Sequence, residues 1–100
     1  MEQGDRFNKG KLKWSLVSWK ALEPMVRVLM FGAEKYSKDN WKKGLDEDEI
    51  LESLTRHLTS LMDGELRDKE SGLLHIGHIM VNAMFWSYFH NKNSDKKTGF

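Results

Sequence analysis

The chain has 100 residues, 39% of them apolar, no cysteine, and a formal net charge of +1 from sixteen basic and fifteen acidic side chains. This suffices for one domain with a modest core and rules out disulfide and thiolate chemistry. The balanced charge argues against duplex nucleic acid, whose partners usually show a one-sided basic excess, but suits a small nucleotide that needs only a few cations. No apolar run approaches the roughly 18 residues needed to cross a bilayer, and Met1 to Lys13 is too polar for a secretory leader, so no membrane association is expected and the cytoplasm is the expected location.

One proline (Pro24) and the lack of alternating β-branched segments predict an all-α fold. The expected architecture is a single domain over residues 1–100, a compact bundle of three main helices completed by oligomerisation. Its ordered core runs from about 14 to 90, with loosely held ends at 1–13 and 91–100.

The first helix is expected over Trp19 to Tyr36, with Ser18 as a possible cap. Pro24 fits poorly inside a helix, so the helix either starts near it or bends there. A turn-rich connection follows from Ser37 to Leu45. Lys35, Asn40 and Trp41 group at this end of the helix, where the lysine and amide can hold phosphate and the indole can stack on a base or close the core. The second helix has a readable start: Asp46 as cap, Glu49 three residues on, and Leu45 and Ile50 at staple positions. Its apolar stripe is Ile50, Leu51, Leu54, Leu58, Leu61 and Met62, and Gly64 is a natural stop.

On this second helix His57 falls within the apolar arc, while Glu49, Glu52 and Arg56 point to the opposite face, with Glu52 and Arg56 spaced for an ion pair. The spacing Glu49-x-x-Glu52 followed by Glu65-x-x-Asp68 resembles that of MazG-type nucleotide pyrophosphohydrolases, in which paired helical carboxylates hold magnesium. The outward direction of Glu49 and Glu52 nevertheless favours solvated surface, unless a second subunit packs there.

The third helix, about Leu73 to His90, places His75, His78 and Asn82 on one stripe and is apolar over most of the remaining circumference. A helix apolar nearly all round is buried nearly all round, which a chain this short can hardly achieve alone; hence the expected homo-oligomer. The acids Glu65 and Asp68 lie between the second and third helices, where they can converge with His57, His75 and His78. Carboxylates and imidazoles gathered this way are a plausible shell for a divalent metal. The competing reading is a set of solvated acids and hydrogen-bonded core histidines. Three histidines and an asparagine on inward faces favour the metal shell.

The succession Gly10-Lys11, Phe31-Gly32-Ala33-Glu34-Lys35-Tyr36, Asn40-Trp41-x-x-Gly44, Arg56-His57-Leu58, Gly64-Glu65-x-x-Asp68-x-Glu70-Ser71-Gly72 and His75-x-x-His78-x-x-x-Asn82 resembles the dATP/dGTP diphosphohydrolase N-terminal family over about residues 6 to 90. That family occurs largely in bacteriophages, which would place the protein in the host cytoplasm. The resemblance implies a MazG-related helical fold and metal-dependent cleavage of a purine deoxynucleoside triphosphate between its α and β phosphates. It implies Glu65, Asp68 and His57 as catalytic residues, and Glu65, Asp68, His75 and His78 as ligands of Mg²⁺ or Mn²⁺. Lys35, Asn40, Trp41, Arg56 and Asn82 would contact the substrate. The alternative is a non-catalytic protein that binds or sequesters a nucleotide or nucleotide signal; a third reading is a helical adaptor in which the polar cluster is structural.

Overall fold

The computed structural model describes residues 9–93, and the statements below concern these. Three α-helices dominate: α1 (Glu23–Lys35), α2 (Glu47–Met62) and α3 (His75–Asn93). Single 3-10 turns at Trp14–Leu16, Lys20–Leu22 and Asn40–Lys43 join or precede them. No strand forms among the described residues, apart from an isolated antiparallel bridge between Arg67 and Leu74. The all-α expectation holds. Of the ends expected to be loosely held, residues 1–8 and 94–100 lie outside the described range, and 91–93 continue α3 beyond the expected stop at His90.

Pro24 decides where the first helix starts. It occupies the first turn of α1, where a missing N–H costs nothing, and the chain before it forms the tighter 3-10 turn. Ser18 caps that turn instead, its Oγ accepting from the Ala21 N–H at 3.2 Å. Asp46 stands at the N-cap of α2 with extended backbone, but its side chain makes no capping hydrogen bond. Three acids in the first turn, Glu47, Asp48 and Glu49, favour the positive end of the helix dipole in its place.

The end of α2 is closed by two backbone bonds: Gly64 N–H to the Leu61 carbonyl at 3.0 Å and Glu65 N–H to the Ser60 carbonyl at 2.9 Å. This double closure needs a left-handed residue, and Gly64 supplies it at φ 97°. The chain then turns back through Asp68–Gly72 and is pinned by Asp68 N–H to Leu73 carbonyl (2.8 Å) and His75 N–H to Leu66 carbonyl (3.0 Å). The third helix therefore begins at His75, two residues later than the periodicity predicted.

Helix α3 packs against both α1 and α2 and is the central element. The buried apolar side chains are Val28, Ile50, Val81 and Phe89, one or two from each helix. Trp41 joins this core by stacking on Phe85 with ring centroids 4.6 Å apart and by edge contacts with Tyr88 and Phe89. Gly77 is buried where α1 crosses α3: a methyl group there would collide with the Pro24 carbonyl group and lie 3.1 Å from Val28 Cγ2. Glycine at this position lets the two backbones approach. Within one chain α3 is not covered all round, since Ile76 and Tyr88 remain exposed. A second apolar stripe on α2, Leu51, Leu58 and Met62, is exposed as well.

Candidate metal and phosphate centre

Two carboxylates each anchor an imidazole, and the imidazoles meet. The double closure after α2 sends the Glu65 side chain toward the first turn of α3, where its Oε1 lies 2.9 Å from His75 Nε2. His75 is the buried polar residue of the fold, at 2% exposure. Its other nitrogen, Nδ1, lies 2.9 Å from Nδ1 of His57 on α2. With a carboxylate on His75 Nε2, that nitrogen bears the proton and His75 Nδ1 accepts. His57 then donates from Nδ1, which leaves its Nε2 a bare base.

The second anchor runs through a serine. Asp68 Oδ2 accepts from the Ser71 N–H at 2.8 Å and from the Ser71 hydroxyl at 2.9 Å. The Ser71 Oγ lies 2.7 Å from His78 Nε2, and Asp68 Oδ2 itself is 3.8 Å from that nitrogen. The His57 and His78 rings stack, centroids 4.3 Å apart and 4° from parallel, which joins the two anchored systems. Asn82, one turn beyond His78, donates to the His78 carbonyl at 2.9 Å and to Ser53 Oγ at 3.3 Å.

These contacts set the protonation states. Burial first, and then the neighbouring imidazole charge of His78, keep His57 below the ordinary histidine pKa. Burial likewise lowers His78. For Asp68 burial works upward, but the backbone and hydroxyl bonds from Ser71, with His78 and His57 nearby, outweigh it and hold the carboxyl below its usual value. At neutral pH His57 and His78 are therefore neutral imidazoles beside the Asp68 carboxylate, the form in which such groups bind a cation.

A polar pocket of about 510 Å³ opens on this cluster, lined by Ser53, Arg56, His57, Ser60, Glu65, Asp68, Lys69, Glu70 and His75. One donor atom from each of His57, Asp68 and His75 lies within 4.8 Å of the other two, a spacing that could hold a metal ion. This trio shares Asp68 and His75 with the ligand set read from the sequence. Glu65 is engaged with His75 and His78 with Ser71.

Arg56, expected on the face away from the core, lines this pocket beside His57 and forms no ion pair with Glu52 among the described residues. Glu49 and Glu52 are exposed and do not line it. Lys35, Asn40 and Trp41 line a separate, apolar pocket of about 560 Å³ with Val28, Gly32 and Phe85. The two pockets share no residue but are linked: Lys35 Nζ, at the edge of the apolar one, lies 3.2 Å from Glu70 Oε1, at the edge of the polar one. That bond to Glu70, followed by Tyr36 beside it, raises the Lys35 pKa. Asn82 lines neither pocket and braces α3 against α2. The sequence reading assigned no role to Ser71 or Gly77. Ser71 was visible as an Asp-x-x-Ser spacing suited to a local side-chain-to-backbone bond, whereas nothing local marks Gly77.

A family model described as dATP/dGTP diphosphohydrolase, N-terminal, matches residues 1–98. A dATP/dGTP diphosphohydrolase of Salmonella phage PMBT28 is 33% identical over 96 residues, covering 94% of this chain and 33% of its own length. The chain thus spans about a third of the relative it matches. No solved structure matches. Every residue of the two linked pockets falls within the matched span, and the chain belongs to the dATP/dGTP diphosphohydrolase N-terminal family.

Proposed function

We propose that the protein is a metal-dependent nucleotide pyrophosphohydrolase that converts a purine deoxynucleoside triphosphate to its monophosphate and diphosphate. The observation that carries this reading is the convergence of His57, Asp68 and His75 with Arg56 in one pocket, on a chain of a diphosphohydrolase family. The donor set fits a divalent cation: two imidazoles and a carboxylate held below its usual pKa, with one imidazole braced by Glu65. A cation there would supply Lewis-acid polarisation of a phosphoryl oxygen.

The chain's own residues supply the rest. Arg56 offsets phosphate charge from α2 and Lys35 does so from the rim between the pockets, once it exchanges Glu70 for phosphate. A carboxylate or imidazole of the cluster takes the proton of the attacking water. The apolar pocket accepts the base, with Trp41 as a wall and Asn40 as a polar contact. Asn82 acts from behind, holding the His78 turn against Ser53. We also propose that a second copy covers the exposed stripe of Leu51, Leu58 and Met62, because a self-sufficient monomer would rarely leave such a stripe in water. Light scattering giving a stable 11.7 kDa species at micromolar concentration would exclude that assembly.

The reaction is tested by incubating the protein with dATP, dGTP and their ribose counterparts with Mg²⁺, Mn²⁺ or Co²⁺ and separating the products. Monophosphate and diphosphate in equal amounts, only with metal, are expected. Binding of nucleotide without turnover would favour a sequestering protein instead.

A further inference from the structure

We infer that the centre selects a nitrogen-binding transition ion of the Mn²⁺ or Co²⁺ kind over Mg²⁺, with His57, His75 and Asp68 as ligands and Glu65 as the residue that orients His75. The inference rests on the metal-dependent reading above and narrows it.

Three observations support it. First, two of the three convergent donors are imidazoles. Mg²⁺ favours oxygen donors and gives up water reluctantly, whereas imidazole suits the later first-row ions. Second, Nδ1 of His57 and Nδ1 of His75 face one another at 2.9 Å, so the hydrogen bond between the rings turns two potential ligand nitrogens to a common point. An ion held by both nitrogens would take the place of that hydrogen bond. The His57 proton would pass from Nδ1 to its bare Nε2, so that no proton is gained or lost.

Third, the remaining contacts are those of a ligand shell's supports. His75 has Nε2 on Glu65, the carboxylate–histidine arrangement that fixes a ligating ring and raises its basicity. Asp68 takes both Ser71 bonds on Oδ2, and its backbone is pinned to Leu73. His78 is bonded to Ser71 and stacked flat on His57, so it sets the plane of the His57 ring. The groups facing this centre from α2, the connection and α3 are Arg56, Lys69, Glu70 and the residues already named.

The test is equilibrium dialysis of the untagged full chain against Mn²⁺, Co²⁺ and Mg²⁺ separately, with bound metal quantified. One Mn²⁺ or Co²⁺ per chain is expected, at least about tenfold tighter than Mg²⁺. Electron-spin-echo spectra of bound Mn²⁺ should show couplings to coordinated nitrogen that His57→Gln and His75→Gln diminish. Glu65→Gln, acting through His75, should weaken Mn²⁺ about 10–100-fold without removing the nitrogen couplings. His57 is only half-buried, so His57→Gln decides the matter if the buried His75→Gln fails to fold by circular dichroism. Mg²⁺ bound as tightly as Mn²⁺, no nitrogen couplings, or no bound ion would each overturn the inference. Turnover supported by Mg²⁺ in a protein that binds no Mn²⁺ would sink it while leaving the reaction intact. Tight Mn²⁺ with nitrogen couplings but no turnover would do the reverse.

Discussion

Gly77 and Gly32 are both helical glycines, yet the same substitution should move stability in opposite directions. Glycine in an exposed helix interior costs about 1 kcal/mol relative to alanine, so Gly→Ala is stabilising where there is room. At Gly32 in α1 an added methyl meets nothing within 4 Å. Gly32→Ala should therefore raise stability by about 0.4–1 kcal/mol. At Gly77 the methyl would enter the Pro24 carbonyl group, with its carbon at 2.8 Å and Val28 Cγ2 at 3.1 Å. Pro24 is main chain in the first turn of α1, so the neighbour cannot simply rotate away. Overpacking of this kind costs about 1–3 kcal/mol, and a rigid neighbour places it in the upper part of that range. Subtracting the helix gain leaves a net loss of roughly 1–2 kcal/mol. In a domain of this size that lowers Tm by about 4–15 °C. Thermal unfolding followed by circular dichroism at one protein concentration measures both variants. If Gly77→Ala matched or exceeded the wild-type Tm, the close approach of α1 to α3 would be wrong, and with it the packing that positions the first turn of α3.

Glu65→Gln and Asp68→Asn should each reduce metal-dependent dNTP turnover about a hundredfold or more, whereas Glu49→Gln and Glu52→Gln, exposed and outside the pocket, should keep most of it. Product chromatography alongside circular dichroism decides, and the opposite ranking would place the active site on the outer face of α2. Stability should fall on acidification: His57 and His78 have lowered pKa values, chiefly from burial, so the unfolded chain binds more protons below about pH 6.5. Their contribution is complete above that pH and lost as pH falls toward their folded values; Asp68, also lowered, adds a further loss below about pH 4. Urea unfolding at pH 8, 6 and 5 that gave constant or rising stability with acid would refute this. Ser71→Ala removes the hydroxyl bond to Asp68 and the partner of His78, and should raise the Asp68 pKa, read by carboxyl-carbon NMR titration; an unchanged value would mean that the backbone bond alone holds the carboxylate.

What the chain could tell by itself was whatever depends on neighbours in sequence. Pro24 near a helix start, Asp46 before α2, and Gly64 as the stop all follow from backbone chemistry within a few residues, and each stands where expected. The i, i+3 spacing of His75 and His78, with Glu65 and Asp68 just upstream, already gathered the polar cluster at one end of the bundle. Family membership was legible for the same reason, as an ordered series of local motifs. Tertiary structure alone decided which groups touch. Glu65 reaches His75 because the chain turns back after Gly64, and His57 meets both α3 histidines only because α2 packs on α3. It separated Trp41 and Asn40 from the histidines into a second pocket, brought Arg56 to the first, and turned Asn82 into a brace. A helical wheel gives each side chain a direction about its own axis but not the partner helix toward which it leans. Gly77 shows the limit most plainly: its reason for being glycine is a carbonyl group more than fifty positions away, and no local pattern contains it.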